Sequence, residues 1–192
     1  MMSTPRVPSL PSILALVVLL ASFDMKGLAG GVVRPLEPAG AANVLLFVAT
    51  DCPVSNGYAP EIQRLCGVYG GRGVRCVVVY EDPDVTAGAA RAHLRAFGYG
   101  AVTAVVDEGG RLAAKVGATI TPEVAVVDRA GAVRYRGRID NQYAAIGKTR
   151  RVVTSHDLAA ALDAVLAGRA VAAPQTQAVG CFIVPSEMRR KS

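Results

Sequence analysis

Seven consecutive residues, Asn43-Val-Leu-Leu-Phe-Val-Ala49, carry no polar side chain after the first. An unbroken apolar run of that length suits a strand covered on both faces. Such a strand demands packed layers on each side of a sheet. Val74 to Tyr80, with valines at 77–79, is a second run of this kind, and Val102 to Val106 a third. Helical patterns separate them. Tyr58, Ile62, Leu65, Cys66 and Tyr69 fall at helical spacing over 58–69, and Gly70-Gly-Arg-Gly73 ends that helix. Asp84 or Thr86 caps a helix running to Phe97, stopped by Gly98. Arg111 to Val116 makes a short helix behind Gly109-Gly110. Val124–Val127 and Val133–Arg136 read as antiparallel strands joined by an Asp128-Arg-Ala-Gly131 turn. Thr154 or Ser155 caps a last helix with Leu158, Leu162, Val165 and Leu166 on its apolar face. This alternation predicts an α/β domain with a largely parallel sheet.

A chain of 192 residues is one domain in size and large enough to bury a core without disulfides. Its 52% hydrophobic content fits a membrane protein, but 19% charged residues are too many for a bundle of spans and too few for a disordered chain. Aromatics at 5% and the lack of Trp also argue against a polytopic protein. The hydropathy is concentrated at Ile13 to Ala21, behind Arg6 and ahead of small residues at Ala21-Ser22 and Leu28-Ala29-Gly30. As a helix that run spans about 13 Å, well short of a hydrocarbon core of ~30 Å. It reads as an export signal or an N-terminal anchor. Export places the four cysteines where disulfides persist, and four allow three pairings.

Cys52 follows the first strand and meets the start of the next helix. Reactive groups in open α/β sheets collect at the carboxyl ends of strands. Free N–H groups and the helix dipole there favour thiolate, while the adjacent Asp51 opposes it.

Phe47-Val-Ala-Thr-Asp-Cys52-Pro-Val-Ser55 resembles the active-site turn of thioredoxin-fold proteins, Phe-Trp-Ala-x-Trp-Cys-x-x-Cys. Ala59-Pro60 matches the family's helix-kinking pair, and Thr121-Pro122 its cis-proline beside the reactive sulfur. Thr-Asp-Cys-Pro-Val-Ser-Asn-Gly-Tyr-Ala-Pro-Glu, from Thr50 on, is similar to the redoxin, or peroxiredoxin-like, proteins of bacteria. Gly137-Arg-Ile-Asp140, Ser155-His-Asp-Leu158 and Gly180-Cys-Phe-Ile183 share the likeness. The resemblance implies a thioredoxin-like α/β fold, a central mixed β-sheet flanked by helices. It divides the chain into a leader at 1–30, the domain at 31–168 and a tail at 169–192 carrying Cys181. It implies an exported thiol redox protein with Cys52 as nucleophile, acting on protein or small-molecule disulfides, or on peroxide. Cys181 is the candidate resolving thiol, and an external thiol restores the pair. Ser55 takes the position of a dithiol enzyme's second Cys and can hydrogen-bond the sulfur; Thr121 and Pro122 shape the substrate groove.

The sequence departs from its relatives at chosen points. Leu45 and Ala49 stand where a peroxiredoxin has Pro and Thr, and Asn56 where copper-delivery relatives have a second Cys. A copper-binding protein using Cys52, Cys181 and His156 is one alternative, and a redox-inert interaction module on the same fold another. Cys66 and Cys76 read as core residues, with a mutual disulfide as the rival. His93, between Arg91 and Arg95, reads as a solvated helical residue, and His156 as a first-turn residue. No zinc spacing and no nucleotide loop appears, and no cofactor is expected. The net charge of +6 is scattered, and Arg134, Arg136 and Arg138 read as the polar face of a strand. No nucleic-acid partner is expected, and a membrane only through the N-terminal segment.

Overall fold

In β3 (Ala42–Val48) every residue is buried, and alternate side chains enter two separate cores. Val44, Leu46 and Val48 pack on one face, Leu45 and Phe47 on the other. The computed structural model describes residues 23–82, 84–100 and 102–184. Its elements run β1 (Met25–Lys26), β2 (Val32–Val33), β3, α1 (Pro53–Gly57), α2 (Ala59–Gly70), β4 (Val74–Tyr80), α3 (Ala87–Ala96), β5 (Thr103–Val106), α4 (Arg111–Val116), β6 (Ile120–Thr121), β7 (Glu123–Asp128), β8 (Val133–Gly137), β9 (Tyr143–Ala145), β10 (Lys148–Thr149), α5 (Asp157–Leu166) and β11 (Cys181–Phe182). The main sheet has the order β5-β4-β3-β7-β8. β3, β4 and β5 are parallel, while β7 and β8 run antiparallel, so the sheet is mixed as the resemblance implied. Ile62 and Leu65 of α2, Ala90 of α3, and Leu158 and Leu162 of α5 cover one face. Leu112, Ala113 and Val116 of α4 cover the other.

Several local readings change. Cys66 and Cys76 form a disulfide joining α2 to β4, where inert packing was expected. His93 is buried, 6% exposed, because α3 turns it inward rather than into solvent. Thr86 caps α3 by accepting from the Ala89 amide at 3.1 Å. α5 begins only at Asp157, with no side-chain cap; the Thr154 and Ser155 amides donate instead to Asn141 Oδ1 at 2.9 and 3.1 Å. The polar stretch 137–153 contains the β9–β10 hairpin. The arginines of β8 and the residue after it each pair with a carboxylate: Arg134 with Asp128, Arg136 with Glu123 and Arg138 with Asp157. Met25–Lys26 pairs with Val32–Val33, and Leu28 packs into the core with its amide on Ala104 O at 2.8 Å. No helix among the described residues is long and apolar enough to cross a membrane. The apolar run at 13–21 and the basic residues 189–191 lie outside the described residues.

Candidate functional site

β3 delivers Cys52 to the N-cap of α1, where Pro53 occupies the first helical turn and needs no hydrogen-bond partner for its nitrogen. The Asn56 amide bonds Cys52 O at 3.0 Å, fixing the turn. Tyr58 separates α1 from α2, with Pro60 in the first turn of the second helix. Cys52 is 1% exposed.

Four of the expected residues meet at this sulfur, and the fifth follows one of them directly. Cys52 Sγ donates to Thr121 O at 3.1 Å, and Cys181 Sγ donates to Cys52 Sγ at 2.7 Å. Both cysteines are free thiols. Ser55 is buried one turn into α1. The Thr121–Pro122 peptide bond is cis, and both residues are buried. Cys181 reaches the site because β11 pairs antiparallel with β6, Cys181 opposite Thr121 and Phe182 opposite Ile120.

Burial pushes the Cys52 thiol up, but the Cys181 thiol, the Ser55 amide and the nearby Ser55 hydroxyl together outweigh it, so Cys52 lies below the ordinary thiol range. The Ser55 hydroxyl makes no well-formed hydrogen bond, and its effect on the sulfur is one of proximity. Cys181 is pushed up to about 12, by burial first, then by its bond to Cys52 and the charges of Cys52 and Asp51. The opposition expected of Asp51, an exposed residue, acts on Cys181, whose thiol its charge pushes up. Of the two thiols, Cys52 ionises first and Cys181 keeps its proton.

Two supports were missed in the sequence. His93 Nδ1 lies 2.9 Å from the Tyr80 hydroxyl and Nε2 2.8 Å from Asn56 Oδ1. The Asn56 amide donates to Thr50 O at 3.1 Å, so its oxygen faces His93 and Nε2 carries the hydrogen. This chain ties α3 to the turn before Cys52. On the other side, Glu123 Oε2 accepts from the Thr119 and Ile120 amides at 2.7 and 3.2 Å and holds the approach to Thr121. His93 stands between two arginines and Glu123 between Pro122 and an apolar strand, and only their tertiary contacts reveal their roles.

His156 sits apart from the sulfurs. The ligand atoms that gather within 4.8 Å among the described residues are those of Glu61, Asp140 and His156, so Cys52, Cys181 and His156 do not make the copper set expected of that alternative. Asp140 is engaged there by the Tyr58 hydroxyl at 2.7 Å and Glu61 by Arg64. A cavity of about 970 Å³ opens beside Leu28, Arg91 and Arg111, and none of the five expected residues lines it.

The Redoxin family model matches residues 22–152. The chain belongs to the Redoxin family. No curated protein matches it. Among solved structures, this Redoxin-family chain is 28% identical to a hypothetical protein of Sinorhizobium meliloti 1021, with a TM-score of 0.72 over 85% of this chain and 90% of that one. It is 28% identical to an uncharacterized conserved protein of Geobacillus kaustophilus, TM-score 0.74, covering 85% and 88%. A secreted disulfide oxidoreductase of Mycobacterium tuberculosis, 20% identical with a TM-score of 0.50 over 58% and 80%, shares the fold. The fold is therefore thioredoxin-like, and thiol-disulfide oxidoreductases are among its structural neighbours.

Proposed function

We propose that this Redoxin-family chain is an exported thiol-disulfide oxidoreductase with Cys52 as nucleophile and Cys181 as resolving thiol. The observation that carries the reading is the pair of free sulfurs 2.7 Å apart at a helix N-cap, with the buried one the more acidic. In the first step the Cys52 thiolate attacks one sulfur of a substrate disulfide. A Cys52–substrate bond forms, and the other substrate sulfur leaves and takes a proton. That step removes the negative charge on Cys52 and the hydrogen bond it accepts, two of the causes that hold the Cys181 proton in place. Cys181 then gives up its proton and attacks the Cys52 sulfur. The second substrate thiol departs, and a Cys52–Cys181 disulfide holds the two electrons' worth of oxidation until an external thiol reduces it.

Ser55 turns its amide to the thiolate with its hydroxyl close by, while Thr121 and Pro122 form the wall beside the sulfur. The substrates on this reading are protein or small-molecule disulfides. Leu45 and Ala49, in place of Pro and Thr, leave peroxide as the less suited oxidant. Export rests on the apolar run at 13–21.

The test is disulfide exchange by Cys52→Ser and Cys181→Ser. Cys52→Ser is expected to lose exchange altogether. Cys181→Ser is expected to make the first attack and then accumulate the mixed disulfide, visible by mass spectrometry. Full exchange by Cys52→Ser would overturn the reading.

A further inference from the structure

The tail occupies the strand edge beside the sulfur as a separate polypeptide would. β6 pairs with β11 in a two-stranded sheet of its own, so Cys181 lies in register with Thr121, the residue before the cis bond. The register is tightly set. A Cβ on Gly180 would fall 2.0 Å from Thr121 O and 2.7 Å from its carbon, so only glycine fits directly before the cysteine. Ile183 N bonds Thr119 O at 2.9 Å, and Thr121 Oγ1 donates to Cys181 O at 3.4 Å. Phe182 is 83% exposed, while Cys181 and Ile183 on either side of it pack against the two cores.

The tail is pinned behind this strand, not along it. Thr176 Oγ1 lies 2.6 Å from the Tyr135 hydroxyl and accepts from Arg138 N at 3.1 Å, and the Thr176 amide bonds Arg136 O at 3.1 Å. From Thr176 to Cys181 the chain can extend about 17 Å at roughly 3.4 Å per residue. The arm can therefore leave β6 without releasing its anchor. A two-residue strand closed by a few hydrogen bonds is the kind of element that opens locally before the rest of a fold.

We propose that β11 is a built-in substitute for substrate: the tail covers the β6 edge, and a substrate polypeptide takes the same place, in the same register, as an extended segment with glycine directly before its cysteine. This rests on the reading of Cys52 as the attacking thiol and adds the gate and the partner's local sequence. Docking of the substrate segment displaces Cys181. Return of the arm brings Cys181 back to Cys52 and expels the product strand, so resolution and release are one movement.

The test uses the reduced full-length chain and Gly180→Val, which keeps both thiols. Maleimide modification of Cys52 is followed by mass spectrometry. Gly180→Val is expected to speed it about tenfold, an opening equilibrium shifted by about 1.4 kcal/mol. A synthetic peptide of residues 178–184 carrying Cys181→Ser should protect Cys52 in that variant, and the same peptide with Gly180→Val added should not. An unchanged maleimide rate, or equal protection by the two peptides, would overturn the gate. Reaction of the wild-type chain with glutathione disulfide tests the nucleophile separately. Failure there, with maleimide and peptide behaving as expected, would sink the redox reading and leave the gate standing.

Discussion

Cys52 owes its acidity to neighbours that oppose its burial, and the first lowering contact is the Cys181 thiol. The alkylation rate of Cys52 should therefore reach half its plateau below pH 9.0, the thiol's ordinary value, and Cys181→Ser should move that midpoint upward. A pH series of iodoacetamide labelling measures both. His93 is a second residue whose protonation matters. Burial lowers its pKa from 6.5, and the groups around it, Tyr80, Asn56, Phe97 and Tyr99, are neutral. Below pH 6.5 the unfolded chain takes up a proton that the folded one resists, so this contribution to stability is present above 6.5 and lost as pH falls toward the folded value. Urea unfolding at pH 7 and pH 5 should show a larger loss for the wild type than for His93→Gln. Cys52, Ser55, Thr121 and Pro122 stood out as candidates in the sequence because each lies in a local turn or motif, and Cys181 because of the Gly-Cys-Phe-Ile likeness. His93 was not, since a histidine between two arginines looks solvated until α3 is docked on β4.

Among the elements, α2 and β4 are joined by the Cys66–Cys76 disulfide, which closes a separation of 10 residues. Replacing both cysteines by Ala should lower stability by about 2–4 kcal/mol, read from urea unfolding. Exchange at Cys52 should persist in the folded double variant, because Cys52 and Cys181 are the two free thiols. The sequence placed Cys66 on an apolar helix face and Cys76 in a buried strand, but packing and pairing share that signature. Whether the two sulfurs meet depends on how far α2 slides along β4. The cap of α5 shows a similar limit. Thr154 and Ser155 have the right side chains, yet Asn141, 13 and 14 residues earlier, satisfies their amides and the helix starts later.

For the whole molecule, the two cores on either side of β3 set what can be removed. Leu28 is 8% exposed, and its carbonyl accepts from Arg91 Nε at 2.9 Å, so the folded unit includes residues ahead of Gly31. A chain beginning at Phe23 should be more stable than one beginning at Gly31 by about 2–3 kcal/mol, the burial of one leucine side chain, as measured by urea unfolding. The strand runs, the helix spacings, the turn at 128–131 and the cysteine at the end of the first strand are local patterns. Periodicity and turn chemistry depend on neighbours a few residues apart, so the sequence by itself determined the α/β alternation and the place of Cys52 between a buried strand and a helix. Cys181 is 129 residues from Cys52, and its partner was one of three pairings open to four cysteines. Only the tertiary structure decided that β11 lies on β6, that Gly180 fits against Thr121 and that Cys66 meets Cys76. Those contacts turn on distances of a few tenths of an ångström between segments far apart in the chain, which no local pattern encodes.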